Sequence, residues 1–122
     1  MKSLLAATLA AGFALASPAY AQDAAEGQTV FKRLCSACHS PLEGKNLVGP
    51  SLFGIVGRDA GTVPNFKYSA ANKNSGITWS AEKLDPYLIN PREVVPGTIM
   101  IFPGVKDAKQ RGDLIVYLST LK

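Results

Sequence analysis

The chain is poor in the side chains that build most metal and catalytic sites. Its 122 residues include one histidine, two cysteines, two methionines and one tryptophan. A tetrahedral zinc site needs more thiolate and imidazole ligands than this set supplies. Beyond the N-terminus no apolar run is long enough to make a membrane helix. No dense lysine and arginine run is interleaved with aromatics, so nucleic acid is not an expected partner. No internal repeat, low-complexity tract or interdomain linker breaks the chain, and little of it alternates as a half-buried strand would. The sequence therefore reads as one small, helical, loop-rich domain with very few reactive groups.

Those few groups are concentrated. In Cys35-Ser36-Ala37-Cys38-His39, two thiols bracket two residues and a histidine follows at once. This C-x-x-C-H spacing is the attachment signature of c-type haem. Each thiol can add to one haem vinyl group, which leaves the next residue's imidazole against one face of the iron. A thioredoxin-like redox pair would want a βαβ context, and none surrounds these cysteines. A disulfide between the two would close a very tight loop. Haem held by a proximal histidine needs a second axial group, or an open site, on its other face. His39 is the only histidine, and Met100 is the only methionine beyond the initiator. Met100 taken alone would be ordinary core filler. With haem accepted, it becomes the favoured sixth ligand.

The N-terminus reads as a secretory signal. Lys2 gives a short positive region, Leu4 to Ala16 is an apolar run, and Ala19-Tyr20-Ala21 is an A-x-A cleavage site before Gln22. The run is too short to span a bilayer comfortably, and the cleavage site argues against an uncleaved anchor. Residues 1–21 are therefore expected to be removed after Ala21. Residues 22–122 then form one soluble periplasmic domain without stable membrane insertion. A chain of that length buries a modest core, and a largely apolar macrocycle would supply much of the missing interior. Loss of Lys2 takes the 13 basic residues to 12 against 9 acidic ones, a net charge of +3 before any haem propionates. That mild basicity suits a positive face for an acidic redox partner.

Helices are expected at both ends. Asp23 can cap the first, with Glu26 at capping-box spacing. Gly27, Val30, Phe31 and Leu34 then share one face. Gly27 weakens a helix by about 1 kcal/mol relative to alanine, so a glycine on the packed face suggests the close approach of another backbone. Asp107 and Gln110 repeat the capping pair, followed by a stripe of Leu114, Tyr117, Leu118 and Leu121. The two terminal helices could pack on each other through Phe31 and Tyr117. Between them, Ser80 is a plausible cap for a helix carrying Leu84, Tyr87 and Leu88. Asn90-Pro91 ends that helix, and Pro91 can start another turn that Pro96-Gly97 stops. Residues 41–62 are rich in glycine turns. Loops this extensive need something to wrap around.

These residues resemble class I cytochrome c, and bacterial cytochrome c2 in particular. The resemblance runs from about Gly27 to Leu118. It includes Val48-Gly49-Pro50-Ser51-Leu52, Gly57-Arg58, Asn65-Phe66-Lys67-Tyr68 and Ala71-Asn72-Lys73-Asn74-Ser75-Gly76-Ile77-Thr78-Trp79. It continues through Tyr87-Leu88-Ile89-Asn90-Pro91, the block from Pro96 to Phe102, and Asp113 to Leu118. The family implies an all-α fold with packed terminal helices and loops around one haem c, held covalently by Cys35 and Cys38.

It also implies roles. His39 and Met100 would be the axial ligands, and Pro50 would orient the imidazole through its carbonyl. Arg58, Tyr68 and Trp79 would bind the buried propionates. Asn72, Tyr87 and Thr98 would form a water-linked polar network near the methionine, and Phe102 would cover the haem edge. Plain core packing is the bland reading of Tyr68 and Trp79. Mitochondrial relatives carry lysines around the haem edge, one just before the axial methionine. Here that position is Ile99, Glu93 and Asp107 interrupt the ring, and Lys32, Arg33, Arg92 and Lys106 preserve part of it. The expected function is that of a monomeric electron carrier docking redox partners at the haem edge, not an enzyme. The alternatives are a dedicated electron-transfer subunit of a dehydrogenase or oxidase, an open-site haem protein, and a thiol–disulfide oxidoreductase.

Overall fold

The structure, a computed structural model, describes residues 7–13 and 22–122. The expected leader lies outside the described residues apart from 7–13, which form no regular element. Five helices follow in order: α1 (Ala24–Leu34), α2 (Ala70–Lys73), α3 (Ala81–Ile89), α4 (Pro91–Val94) and α5 (Ala108–Ser119). Among the described residues the only β pairing is an isolated antiparallel bridge between Asp59 and Thr78. The architecture is all-α, as expected.

The terminal helices pack against each other, and Gly27 makes this possible. A Cβ at that position would lie 1.9 Å from the Asp113 carbonyl oxygen and 2.8 Å from the Tyr117 Cβ. Beside this contact the rings of Phe31 and Tyr117 tilt at 56° with centroids 5.4 Å apart. Leu114, fully buried, and Leu118 continue the seam into the core, which Leu84, Tyr87 and Leu88 of α3 complete. Leu34, expected on the packed face, is 38 % exposed. It sits in the last turn of α1, where the helix runs past α5 to the mouth of a cavity.

The caps fall where the sequence places them. The Asp23 carboxylate accepts from the N–H groups of Ala25 and Glu26, Ser80 from Lys83, and Asp107 from Gln110, while Asn90, expected only to end α3, also caps α4 by accepting from Arg92. The reciprocal half of each capping box is replaced by a tertiary contact. The Asp23 N–H donates to Asp113 Oδ1 at 2.8 Å rather than to Glu26. The Gln110 Oε1 accepts from Arg33 Nη2 at 2.9 Å. Both substitutions tie α1 to α5. Arg111, nearly buried, donates to Asp85 at 2.6 Å and to the Val105 carbonyl at 3.1 Å, fastening α5 to α3 and to the loop before it.

α2 has no counterpart in the sequence reading. It is one turn long, carries no apolar periodicity, and is capped by Ser69, whose hydroxyl accepts from the Asn72 N–H. Its effect is to carry Asn72 into the interior.

Candidate haem site

A cavity of about 340 Å³ opens between the loops, and all twelve residues expected around the cofactor line it. The C-x-x-C-H segment reaches it by turning off the end of α1. The Cys35 N–H still bonds to the Phe31 carbonyl, and the N–H groups of Cys38 and His39 fold back onto the Cys35 carbonyl at 3.1 and 2.9 Å. Both thiols and the imidazole therefore face the same opening. The two thiols are unpaired, Cys35 half-buried and Cys38 exposed. Burial, with the neighbouring Cys38 adding to it, pushes the Cys35 thiol up to about 11.

The His39 ring has a fixed orientation. Its Nδ1 lies 2.7 Å from the Pro50 carbonyl, which can only accept, so the proton sits on Nδ1 and Nε2 is left bare. Burial presses the imidazole below its ordinary value, against the Pro50 bond and with help from Arg58, so the ring is neutral at neutral pH. That is the form that ligates a metal. Gly49 lies against the ring: a Cβ there would come within 2.3 Å of Cε1 and 2.9 Å of Nε2. In the sequence Gly49 is one of the turn-marking glycines of residues 41–62, with no contact to the ring expected of it. Its place beside Pro50, next to the only imidazole, was the available signal.

Met100 enters from the loop after α4. Its sulfur accepts a hydrogen bond from the Tyr87 hydroxyl at 3.2 Å, and its N–H donates to Thr98 Oγ1 at 3.2 Å. Burial raises the Tyr87 phenol, with a bond to Thr98 opposing. Trp79 packs on Tyr87 with ring centroids 4.5 Å apart and is itself buried. Asn72 supplies an Oδ1 that is buried and has no hydrogen-bond partner among the described residues.

Arg58 is half-buried, with one Nη1 donation to the Phe53 carbonyl at 2.9 Å. Burial disfavours its charge, a cost that an adjacent anion would offset. Its backbone carbonyl accepts from the Trp79 N–H at 2.9 Å, so the two side chains leave from paired segments. The Tyr68 hydroxyl accepts from the Val63 N–H at 3.1 Å, and its ring meets Phe66 edge-on at 4.8 Å. Phe66, given no role in the sequence reading, also lines the cavity, and Phe102 is half-buried at the mouth.

Residues 24–122 match the family model described as cytochrome c. The chain belongs to the cytochrome c family. It is 47% identical over 100 residues to a cytochrome c2 of Rhodopila globiformis, covering 82% of this chain and 94% of that one. Against a cytochrome c2 of Blastochloris viridis the identity is 54% over 103 residues, covering 84% and 80%. In structure it matches cytochrome cH from Methylobacterium extorquens with a TM-score of 0.75 at 45% identity, over 80% of this chain and 98% of that one. This cytochrome c accordingly carries one covalent haem c, and Cys35 and Cys38 fit its attachment motif.

The residues present fit that group on their own geometry. The cavity is mostly apolar, both thiols stand free at its lip, and Gly49 leaves a flat approach to the imidazole. The orphaned Asn72 Oδ1 marks a buried place where a donor is missing, and a buried acceptor without one costs about 1–3 kcal/mol.

Proposed function

We propose that this cytochrome c is an exported, monomeric carrier that moves one electron at a time between larger redox proteins of the periplasm. One observation carries the reading. The cavity brings together the bare Nε2 of His39, the sulfur of Met100 and both attachment thiols. The haem supplies a one-electron iron couple when bound. The protein's part is to hold that group with little rearrangement between oxidation states. Cys35 and Cys38 fix it covalently, and Pro50 locks the imidazole of His39 in the ligating tautomer. Tyr87 and Thr98 hold the Met100 segment in place. Arg58, Tyr68 and Trp79 would bind the propionates, Arg58 offsetting their charge, and Asn72 would complete a polar network through water. Phe102 shields the edge.

With His39 and Met100 both holding the iron, no place would be left there for a substrate, so turnover chemistry is not part of this role. Partners dock at the mouth of the cavity, where Val48, Ile99 and Ile101 are 78 %, 64 % and 87 % exposed. Ile99 stands just before Met100 and, among the described residues, no lysine lines the cavity, so docking depends on salt less than in a relative with a complete lysine ring. Export rests on the leader read in residues 1–21. Among the described residues no helix is long and apolar enough to cross a membrane.

The test is the visible spectrum of the purified holoprotein, oxidised and reduced, with and without carbon monoxide. A low-spin spectrum with the far-red ferric band of an iron–thioether bond, unchanged by carbon monoxide, is the expected result. In Met100→Ala the reduced protein then binds carbon monoxide. A high-spin spectrum, or equal carbon monoxide binding before and after the substitution, would overturn the assignment of Met100 and with it the carrier reading.

A further inference from the structure

We infer that Asn46 is a positioning residue for the axial histidine, acting through the peptide group between Pro50 and Ser51 to orient the imidazole of His39 and to raise its basicity. The inference rests on His39 as an iron ligand. Asn46 is half-buried in the loop after the attachment motif and does not itself line the cavity.

One peptide unit links the two side chains. Its carbonyl, from Pro50, accepts from His39 Nδ1 at 2.7 Å. Its N–H, from Ser51, donates to Asn46 Oδ1 at 3.0 Å. The other end of the same carboxamide, Nδ2, donates to the Pro64 carbonyl at 3.0 Å. The two partners fix which way the carboxamide points. A backbone N–H can only donate and a carbonyl can only accept, so the oxygen faces Ser51 and the nitrogen faces Pro64. Pro64 precedes the segment that brings Phe66 and Tyr68 to the cavity wall. Asn46 therefore joins that wall to the histidine side, and makes the join at the peptide that orients the ring.

A plain loop staple could have used any free backbone group, and this loop has such staples already. The Gly49 N–H donates to the Cys38 carbonyl at 2.7 Å, the Leu47 N–H to the Gly49 carbonyl at 2.9 Å, and the Ser51 hydroxyl to the Leu42 carbonyl at 2.6 Å. Those bonds hold the path of the chain. Asn46 holds the N–H side of the Pro50–Ser51 plane. A peptide group is rigid, so its carbonyl and N–H swing together, and pinning one pins the other.

The electronic effect follows from the same chain of bonds. An acceptor on a peptide N–H makes the carbonyl of that peptide a better acceptor in turn. Pro50 then draws the Nδ1 proton more strongly, and Nε2 becomes a stronger donor to a metal. Stronger donation favours ferric over ferrous iron, so Asn46 lowers the reduction potential.

Proton NMR of the reduced holoprotein tests this, with protein-film voltammetry beside it. In wild type the His39 ring protons should be shifted to high field by the haem ring current, and the Nδ1–H should exchange slowly. Asn46→Leu removes both carboxamide bonds. Its Nδ1–H should move to higher field and exchange faster, and its potential should rise. Asn46→Asp keeps an acceptor for Ser51 and loses the donor to Pro64. At pH 7 its carboxylate pulls harder on the Ser51 N–H, so the Nδ1–H should move to lower field. The added charge lowers the potential by itself, so the resonance decides in that variant, which also serves if Asn46→Leu does not fold. A wild-type Nδ1–H resonance and exchange rate in the variants that fold, with only the melting temperature lowered, overturns the inference and leaves His39 as the ligand. Ring protons without the haem shift in wild type overturn the ligand reading and the inference with it.

Discussion

The hydroxyl of Tyr87 donates to the sulfur of Met100 across 3.2 Å. One residue comes from the middle of α3 and the other from an irregular loop, so the bond couples the rigid part of the fold to the segment that supplies the thioether. With Met100 as the proposed iron ligand, a donor on its sulfur would draw electron density from it and would weaken its donation to ferric iron more than to ferrous iron. Tyr87→Phe should therefore lower the reduction potential. A hydrogen bond worth about 0.5–1.5 kcal/mol corresponds to roughly 20–60 mV for one electron. Protein-film voltammetry would measure it, and an unchanged or raised potential would mean that the hydroxyl does not act on the sulfur.

Gly49→Ala sets the imidazole against a methyl group. The new Cβ would lie 2.3 Å from His39 Cε1, so something must shift. Either the ring leaves its bond to Pro50 or the 46–50 turn shifts. The expected outcome is a reduced yield of holoprotein and a measurable high-spin fraction in the ferric spectrum. A variant with wild-type yield and spectrum would show that the turn yields without disturbing the ring.

Arg58→Ala should lower the reduction potential as well, by leaving more propionate charge uncompensated near the iron. The guanidinium is half-buried and donates to the Phe53 carbonyl, so some loss of stability accompanies the substitution. Arg58→Lys separates the two effects, because it keeps the charge and loses the planar donor set. Its potential should fall less than that of Arg58→Ala. Equal potentials in wild type and both variants would remove Arg58 from the electrostatics of the site.

Local chemistry was legible in the sequence, and long-range chemistry was not. Asp23, Ser80 and Asp107 cap where their side chains and the following periodicity place them. The close approach at Gly27 was readable too, because a glycine on an apolar face has few other uses. What escaped were partners distant in the chain. The Asp23 N–H goes to Asp113, 90 positions away, and the Gln110 side chain goes to Arg33, 77 away. Both local capping boxes looked complete without them. α2 escaped because a single turn shows no period. Cys35, Cys38, His39 and Met100 were readable from spacing and composition, but the rest of the cavity-lining set came from family resemblance, since no spacing rule links residues as far apart as Arg58, Asn72 and Thr98.

Asp113 gives the fold a definite acid limit. Its carboxylate is 3 % exposed and accepts from the Asp23 N–H at 2.8 Å and from Lys109 at 2.6 Å, so one side chain closes the N-terminus of α1 onto α5. Lys109 first, and the Asp23 N–H second, hold the carboxyl below the usual carboxylate range. A depressed value in the folded state stabilises the protein above the unfolded value near 4, and this stabilisation is lost as pH falls through the folded value. Asp113→Ala removes a charge-assisted bond and should cost about 1.5–3 kcal/mol near neutral pH. For a domain of this size that is a fall in midpoint of roughly 6–24 °C. Asp113→Asn retains an acceptor for the Asp23 N–H and should cost less. The gap between wild type and Asp113→Ala should then close as the pH drops below about 4. Thermal unfolding followed by circular dichroism from pH 2 to 7 measures it. A gap that stays constant over that range would mean that Asp113 contributes packing rather than charge, and that the acid limit lies with another group.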